Sequence, residues 1–154
     1  MKITKHSDFA LRILIFLEAQ PKDRLTTITE LAEMYSISVN HVRVIVHKLG
    51  KLGYVKNTQG KGGGIKLACD AEKITVGDVV RNTENDFYMV ECFDPNKTTA
   101  CSITKACKLK GVINKALDAF MQILDEYTLA DIATNKTSIL KQLQFTPIRS
   151  ETRQ

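Results

Sequence analysis

The sequence of 154 residues contains no hydrophobic run near the roughly 20 apolar residues that a membrane-spanning helix requires. Its first residues, MKITKHSDFALR, lack the successive basic, apolar and small-residue regions of a secretory signal peptide. The sequence also lacks a recognisable nucleotide-binding loop, carboxylate dyad or Cys/His pair of the kinds that carry catalysis. These absences predict a cytoplasmic protein that has no membrane partner and is not an enzyme.

Charge is unevenly distributed along a chain that is long enough for one core and a small extension. Residues 1–66 hold 11 Lys and Arg against 5 Asp and Glu, whereas residues 67–154 hold 11 against 12. A polyanion would therefore dock on the N-terminal part. Because many solvated surfaces are basic without any partner, the predicted fold must decide whether this polyanion is a nucleic acid.

The basic part begins with two predicted helices. Apolar residues at helical spacing mark the first helix over residues 5–20. Thr27 and Glu30 form a T-x-x-E capping box, which predicts a second helix over residues 28–35.

A third helix is predicted over residues 39–52, with Ser38 as its N-cap. One face of this helix is apolar and carries Val39, Val42, Val46 and Leu49, while polar and basic residues project elsewhere. Two short helices joined by a tight turn are typical of a helix-turn-helix, in which the second helix enters the major groove of DNA.

Two short β segments, 53–56 and 65–67, follow the third helix and are joined by a glycine-rich loop. A nucleotide-binding loop would need a G-K-[ST] ending and a helix behind it, whereas a strand follows here. The fold is therefore predicted to be mainly α with a small β-wing, a winged helix-turn-helix. Ser38, Asn40, His41 and Arg43 are the candidate base contacts, and Thr27, Lys48, Lys61, Gly62 and Gly63 are the other candidate DNA contacts.

Cys92, Cys101 and Cys107 fall within sixteen residues. Thiolates are soft ligands that hold iron-sulfur clusters or zinc, and clustered cysteines in a reducing compartment are more often ligands than disulfides. A fourth ligand must come from elsewhere in the fold. Cys69 stands apart at the end of a predicted strand, and we expect it to be an ordinary buried thiol.

The C-terminal part is predicted to open with a capping box at Thr75 and Asp78 and a helix over 76–84. A long helix with a wide apolar stripe follows the cysteines, and the same helix of a second subunit is the simplest partner for that stripe. Its candidate dimerisation residues are Val112, Ala116, Leu117, Phe120 and Leu124. The predicted division is a DNA-binding domain (1–84), a cluster-binding loop (85–109), a dimerisation helix region (110–143) and a disordered tail (144–154).

Five stretches of the sequence, covering about residues 1–140, carry a family resemblance. They are TKHSDFALR, SISVNHVRVIVHKL, QGKGGGIKL, ACSITKACKLK and YTLADI. Together they resemble the NsrR family of nitric-oxide-sensing repressors, within a superfamily of dimeric bacterial winged-helix regulators that also includes IscR, RirA and CymR.

The resemblance implies that Cys92, Cys101 and Cys107 hold an iron-sulfur cluster, with [4Fe-4S] favoured over [2Fe-2S]. An IscR-like protein has a histidine three residues after its last cysteine, where this sequence has Lys110, which cannot be a ligand. In NsrR-like proteins a first-helix carboxylate from the other subunit can complete the site, and that position matches Asp8. The eight residues between Cys92 and Cys101 are more than is usual in the family.

The resemblance further implies a homodimeric repressor that releases palindromic double-stranded DNA operators when nitric oxide reacts with its cluster. We hypothesise that Asp8 alternates between the cluster and Arg12, which lies one helical turn later. Two alternatives stay open. One is a regulator of the same superfamily that responds to thiol oxidation, iron or zinc, and the other is a cluster-free adaptor that acts with a partner protein.

Overall fold

The structure, a computed structural model, describes residues 2–60, 62–96, 101–103 and 106–143. The described chain is mainly helical with a two-stranded antiparallel sheet, so the predicted fold class is confirmed. The helices are α1 (Lys5–Ala19), α2 (Ile28–Tyr35), α3 (Val39–Lys51), α4 (Val76–Thr83), α5 (Leu109–Asp125), α6 (Leu129–Ile132) and α7 (Lys136–Gln142), and the strands are β1 (Val55–Thr58) and β2 (Gly64–Leu67). The predicted tail, 144–154, lies outside the described residues.

Local capping fixes where α2 and α3 begin. Thr27 accepts a hydrogen bond from the Glu30 amide while the Glu30 side chain accepts one from the Thr27 amide, which confirms the predicted capping box. Ser38 caps α3 by accepting from the His41 amide at 3.2 Å. Between the two helices Ser36 adopts a left-handed conformation with φ 52°, which makes the turn tight. The helix-turn-helix is therefore encoded by adjacent residues.

The core holds the three N-terminal helices in one arrangement. Five of its large side chains are 0% exposed: Phe16 and Ile13 of α1, Leu31 of α2, and Ile45 and Leu49 of α3. Burying such a side chain contributes about 1.5–3 kcal/mol to folding. Because these residues come from all three helices, the position of α3 is fixed by the same core that stabilises the domain.

The wing is the hairpin of β1 and β2, in which Val55 pairs with Leu67 and Thr58 pairs with Gly64. The strands extend further toward the tip than the sequence predicted. Gly62 has φ +80°, a conformation in which a side chain is strained, and a Cβ at Gly63 would clash with the carbonyl oxygen of Thr58.

A buried polar network joins α1 to the wing. Thr26, 0% exposed, pairs with Ile65 of β2 through two backbone hydrogen bonds of 3.0 and 2.8 Å. Its hydroxyl donates to Oε1 of Gln20 at 2.6 Å, and Arg24 donates to both side chains at 3.0 Å. Since a buried polar group is costly unless it is hydrogen-bonded, the network holds β2 in one register against α1.

α4 links the C-terminal part to the N-terminal part at two points, while α6 and α7 pack directly on α1, where Lys136 pairs with Glu18. At one point Gly77 lets α5 approach so closely that a Cβ there would meet the Asp125 carboxylate, which is paired with Arg81. At the other point Glu84, just after α4, accepts hydrogen bonds from the backbone amide and the hydroxyl of Thr4, the N-cap of α1, at 2.8 and 3.0 Å. The start of α1 and the start of the cysteine segment, residues 85–109, are thus joined.

The capping box predicted at Thr75 and Asp78 forms only in part. The Thr75 hydroxyl accepts from the Asp78 amide at 3.0 Å, but the Asp78 carboxylate pairs with Arg81 at 3.2 Å instead of returning to Thr75. An available guanidinium one turn later competes for the carboxylate, which the sequence motif does not take into account. In the described parts of the chain no helix has the length and apolarity needed to cross a membrane.

Candidate nucleic-acid interface and metal-binding segment

The outer face of α3 is polar and exposed. It consists of Asn40, Arg43, Val44, His47 and Lys48, all of which are exposed. The Arg43 guanidinium donates to Oδ1 of Asn40 at 2.9 Å, so the two predicted base contacts lie next to each other on this face. Arg and Asn side chains can donate and accept hydrogen bonds at base edges.

Val44 was missed by the sequence reasoning, although it is 59% exposed in the middle of this outer face. The sequence does indicate that Val44 lies on this face. Val44 is four residues after Asn40 and three before His47, the spacing that places residues on one side of a helix. Val39, by contrast, was predicted on the apolar face and is 38% exposed. It is the first residue of α3 and lies at the edge of that face.

The predicted contact His41 is half-buried rather than fully projecting. Its ring meets the ring of Phe9 edge-on, with 5.7 Å between centroids. His6 of α1 lies close by, since burial and then the charges of His41 and Lys48 lower the pKa of His6. The N-terminal turns of α1 and α3 therefore lie next to each other, beside the outer face of α3.

The remaining predicted DNA contacts lie around the helix-turn-helix and the wing. Thr27 is exposed, and its hydroxyl oxygen accepts the capping hydrogen bond of α2. Gly62 is exposed and Gly63 is half-buried at the wing tip. Lys61 lies outside the described residues.

The three predicted ligand cysteines lie on one segment that precedes α5. Cys92, in a short 3-10 helix at Glu91–Phe93, and Cys101 are exposed, whereas Cys107 is half-buried. The four cysteines, all of them in described positions, form no disulfide. Three thiols on sixteen residues are a donor set suited to an iron-sulfur cluster. Within residues 2–60, 62–96, 101–103 and 106–143, however, no three His, Cys, Asp or Glu side chains come together to hold a metal ion.

Asp8 and Arg12 form an ion pair on α1, with 2.9 Å between Oδ1 of Asp8 and Nε of Arg12. Both side chains are about half exposed, at 45% and 52%. The hydrogen bond from Arg12 to Asp8 raises the pKa of Arg12. The guanidinium carbon also lies 5.5 Å from the centre of the Phe9 ring, within cation–π range. Arg12 thus contacts both Asp8 and Phe9.

Cys69 is exposed, so the prediction of a buried thiol was wrong. β2 ends at Leu67, and Cys69 lies in the bend before the 3-10 helix Ala71–Lys73 rather than in the strand. Burial resumes only at Ala71, which is 6% exposed.

α5 carries apolar residues on two adjacent faces, and none of its residues is buried. The exposed stripe of α5 repeats at intervals of three and four residues and consists of Leu109, Val112, Ala116, Ala119 and Ile123. Leu117, Phe120 and Leu124 are half-buried, and Leu117 and Phe120 line cavities shared with Phe87 of the same chain. The five residues predicted for dimerisation are therefore divided between the exposed stripe and a face that packs within the protomer.

A family model described as "Iron-dependent Transcriptional regulator" matches residues 3–135. The chain belongs to the Rrf2 family. This Rrf2 chain is 50% identical over 145 residues to the HTH-type transcriptional regulator NsrR of Bacillus subtilis, covering 94% of this chain and 99% of that one. It is 46% identical over 143 residues to NsrR of Bacillus licheniformis, covering 93% and 99%.

Solved structures agree with the fold of this Rrf2 protein. The oxidized form of CymR from Staphylococcus aureus superposes with a TM-score of 0.69 at 25% identity, covering 86% of this chain and 96% of CymR. The Rrf2 chain is thus a transcriptional regulator by family and a winged helix by fold, and the predicted resemblance is confirmed.

Proposed function

We propose that this Rrf2 protein is a homodimeric repressor that binds palindromic double-stranded DNA and senses nitric oxide through an iron-sulfur cluster, [4Fe-4S] in preference to [2Fe-2S]. The outer face of α3 carries the DNA-binding part of the proposal, because Asn40 and Arg43 are both exposed there and lie next to each other. The wing and Lys48 would contact phosphates on either side of the groove. The nitric oxide part rests on the resemblance to the NsrR family, and the curated relatives carry the NsrR name.

The exposed stripe of α5 supports the dimer. Leu109, Val112 and Ile123 are 60%, 61% and 56% exposed, and their spacing is that of a helix-packing seam. A second copy of α5 would cover them and place two recognition helices on one side of the assembly. Such a pair matches two half-sites of a palindrome, about one helical turn of DNA apart.

The cysteine segment would hold the cluster through Cys92, Cys101 and Cys107, with Asp8 of the partner subunit as the fourth ligand. When bound, the cluster supplies iron atoms that nitric oxide can reach. The chain would supply three exposed or half-buried thiols and the carboxylate of Asp8, whose exposed ion pair with Arg12 is weak. Loss of these bonds would free the cysteine segment, and the Thr4–Glu84 hydrogen bonds would pass the change to α1.

The proposal keeps the predicted division of the chain into residues 1–84 for DNA binding, 85–109 for the cluster and 110–143 for dimerisation, and residues 144–154 lie outside the described residues. It also keeps the predicted cytoplasmic location and the absence of enzymatic activity.

The test is visible absorption of the protein purified without oxygen, before and after stoichiometric nitric oxide, together with binding to its operator. We expect a broad band in the blue that bleaches with nitric oxide while DNA affinity falls. Cys101→Ser should abolish the band, whereas Cys69→Ser, which alters an equally exposed thiol outside the set, should keep it. A colourless protein after reconstitution with iron and sulfide would instead favour a zinc or thiol switch.

A further inference from the structure

The outer face of α3 contains one apolar side chain among polar ones. Val44 is 59% exposed, and its exposed neighbours on that face are Asn40, Arg43, His47 and Lys48. The apolar side of the same helix packs inward through Val42, Ile45, Val46 and Leu49, which are 0–4% exposed. Val44 therefore contributes nothing to the core and lies where the helix would face a ligand.

The chemistry of the major groove specifies what Val44 could contact. Base pairs present hydrogen-bond donors and acceptors there, and the C5-methyl of thymine is the apolar group on their edges. A β-branched side chain has few rotamers, so both methyl groups of Val44 are held in nearly fixed positions on the helix. A G·C pair at the same place would lose water from its polar edge against a side chain that offers no hydrogen bond.

We propose that Val44 reads a thymine in each half-site of the operator through contact with the C5-methyl group. This inference rests on the proposed DNA-binding function and adds a specificity-determining residue to it. The neighbouring Arg43, held at 2.9 Å by Asn40, reads a base by hydrogen bonds, so apolar and polar readout lie side by side on α3.

The experiment begins with the full-length protein, purified without oxygen, which selects binding sequences from a library of randomised DNA duplexes. Each thymine of one selected duplex is then replaced in turn by uracil, which removes only the methyl group. We expect one thymine per half-site at which uracil weakens binding by about fourfold, the equivalent of about 0.8 kcal/mol for one buried methyl group. Replacement in both half-sites should weaken binding by about sixteenfold, since separate sites add.

Two variants of Val44 identify the side chain responsible. Val44→Ala should bind the thymine duplex more weakly and be indifferent to uracil at that position. Val44→Thr, which keeps one of the two methyl groups, should remain sensitive to it. Alanine is the better helix former and Val44 is largely exposed, so loss of folding does not explain weaker binding by Val44→Ala.

Two results would overturn the inference in distinguishable ways. If the wild-type protein and Val44→Ala give the same uracil profile on a selected duplex, the thymine contact is refuted and the DNA-binding function stands. If no sequence is enriched from the library, the proposed function fails and the inference falls with it. A Val44→Ala variant that binds DNA normally but loses another protein would assign Val44 to a protein contact and refute the thymine contact.

Discussion

The ion pair between Asp8 and Arg12 allows a quantitative prediction about cluster binding. An exposed pair spaced i to i+4 on a helix contributes only about 0.3–0.5 kcal/mol. That free energy leaves the pair open about a third of the time, so Asp8 is already available to an iron atom in a large fraction of molecules. Removing Arg12 raises this fraction to one, which can strengthen binding of the cluster by at most about threefold.

The variant Arg12→Gln tests this reasoning, with Arg12→Lys as the charge-keeping control and Asp8→Asn as the ligand control. The measurement is the rate at which visible absorption is lost to an excess of iron chelator. We expect Arg12→Gln to lose its cluster at an equal or up to threefold lower rate, Arg12→Lys to resemble the wild type, and Asp8→Asn to lose its cluster much faster. Faster loss in Arg12→Gln, or a change of tenfold or more, would mean that Arg12 does more than compete for Asp8.

Three further outcomes follow from the packing. Thr26→Val should lower the free energy of unfolding by about 1–2 kcal/mol, measured by urea denaturation, because it removes the hydrogen bond to Gln20; unchanged stability would mean that the network is dispensable. Gly63→Ala should displace the wing tip, since its Cβ would meet the Thr58 carbonyl, and weaken binding to random and operator DNA alike; selective loss on the operator would contradict this. Val112→Asp should shift the protein from dimer to monomer in sedimentation, because it places a charge in the exposed stripe of α5; an unchanged dimer would place the interface elsewhere.

Features set by adjacent residues were predictable from the sequence. Thr27 with Glu30, and Ser38 with the residues that follow it, fix the starts of α2 and α3 through caps that need no distant partner. The glycines of the wing were predicted as a turn for the same reason. The predicted helix-turn-helix and wing therefore agree with the structure.

Features that depend on distant contacts were not predictable in the same way. The burial of Cys69 was misjudged, because an alternating pattern does not tell where a strand ends. The division of α5 between an exposed stripe and a face toward Phe87 also depends on residues far apart in sequence. The pairing of Arg43 with Asn40 is local, but which atoms meet is decided by side-chain rotamers that spacing alone does not give.

The hydrogen bonds between Thr4 and Glu84 limit how far the cysteine segment can move without displacing the start of α1. From Glu84 to Cys92 the chain advances eight residues, which span at most about 29 Å when fully extended. Cys92 is therefore connected by a chain segment of limited length to the N-cap of α1, the helix that also carries Asp8. A movement of Cys92 beyond the extended length of this segment must displace that cap. An insertion between Glu84 and Cys92 would lengthen the segment, so we expect movement of the cysteines to affect α1 less.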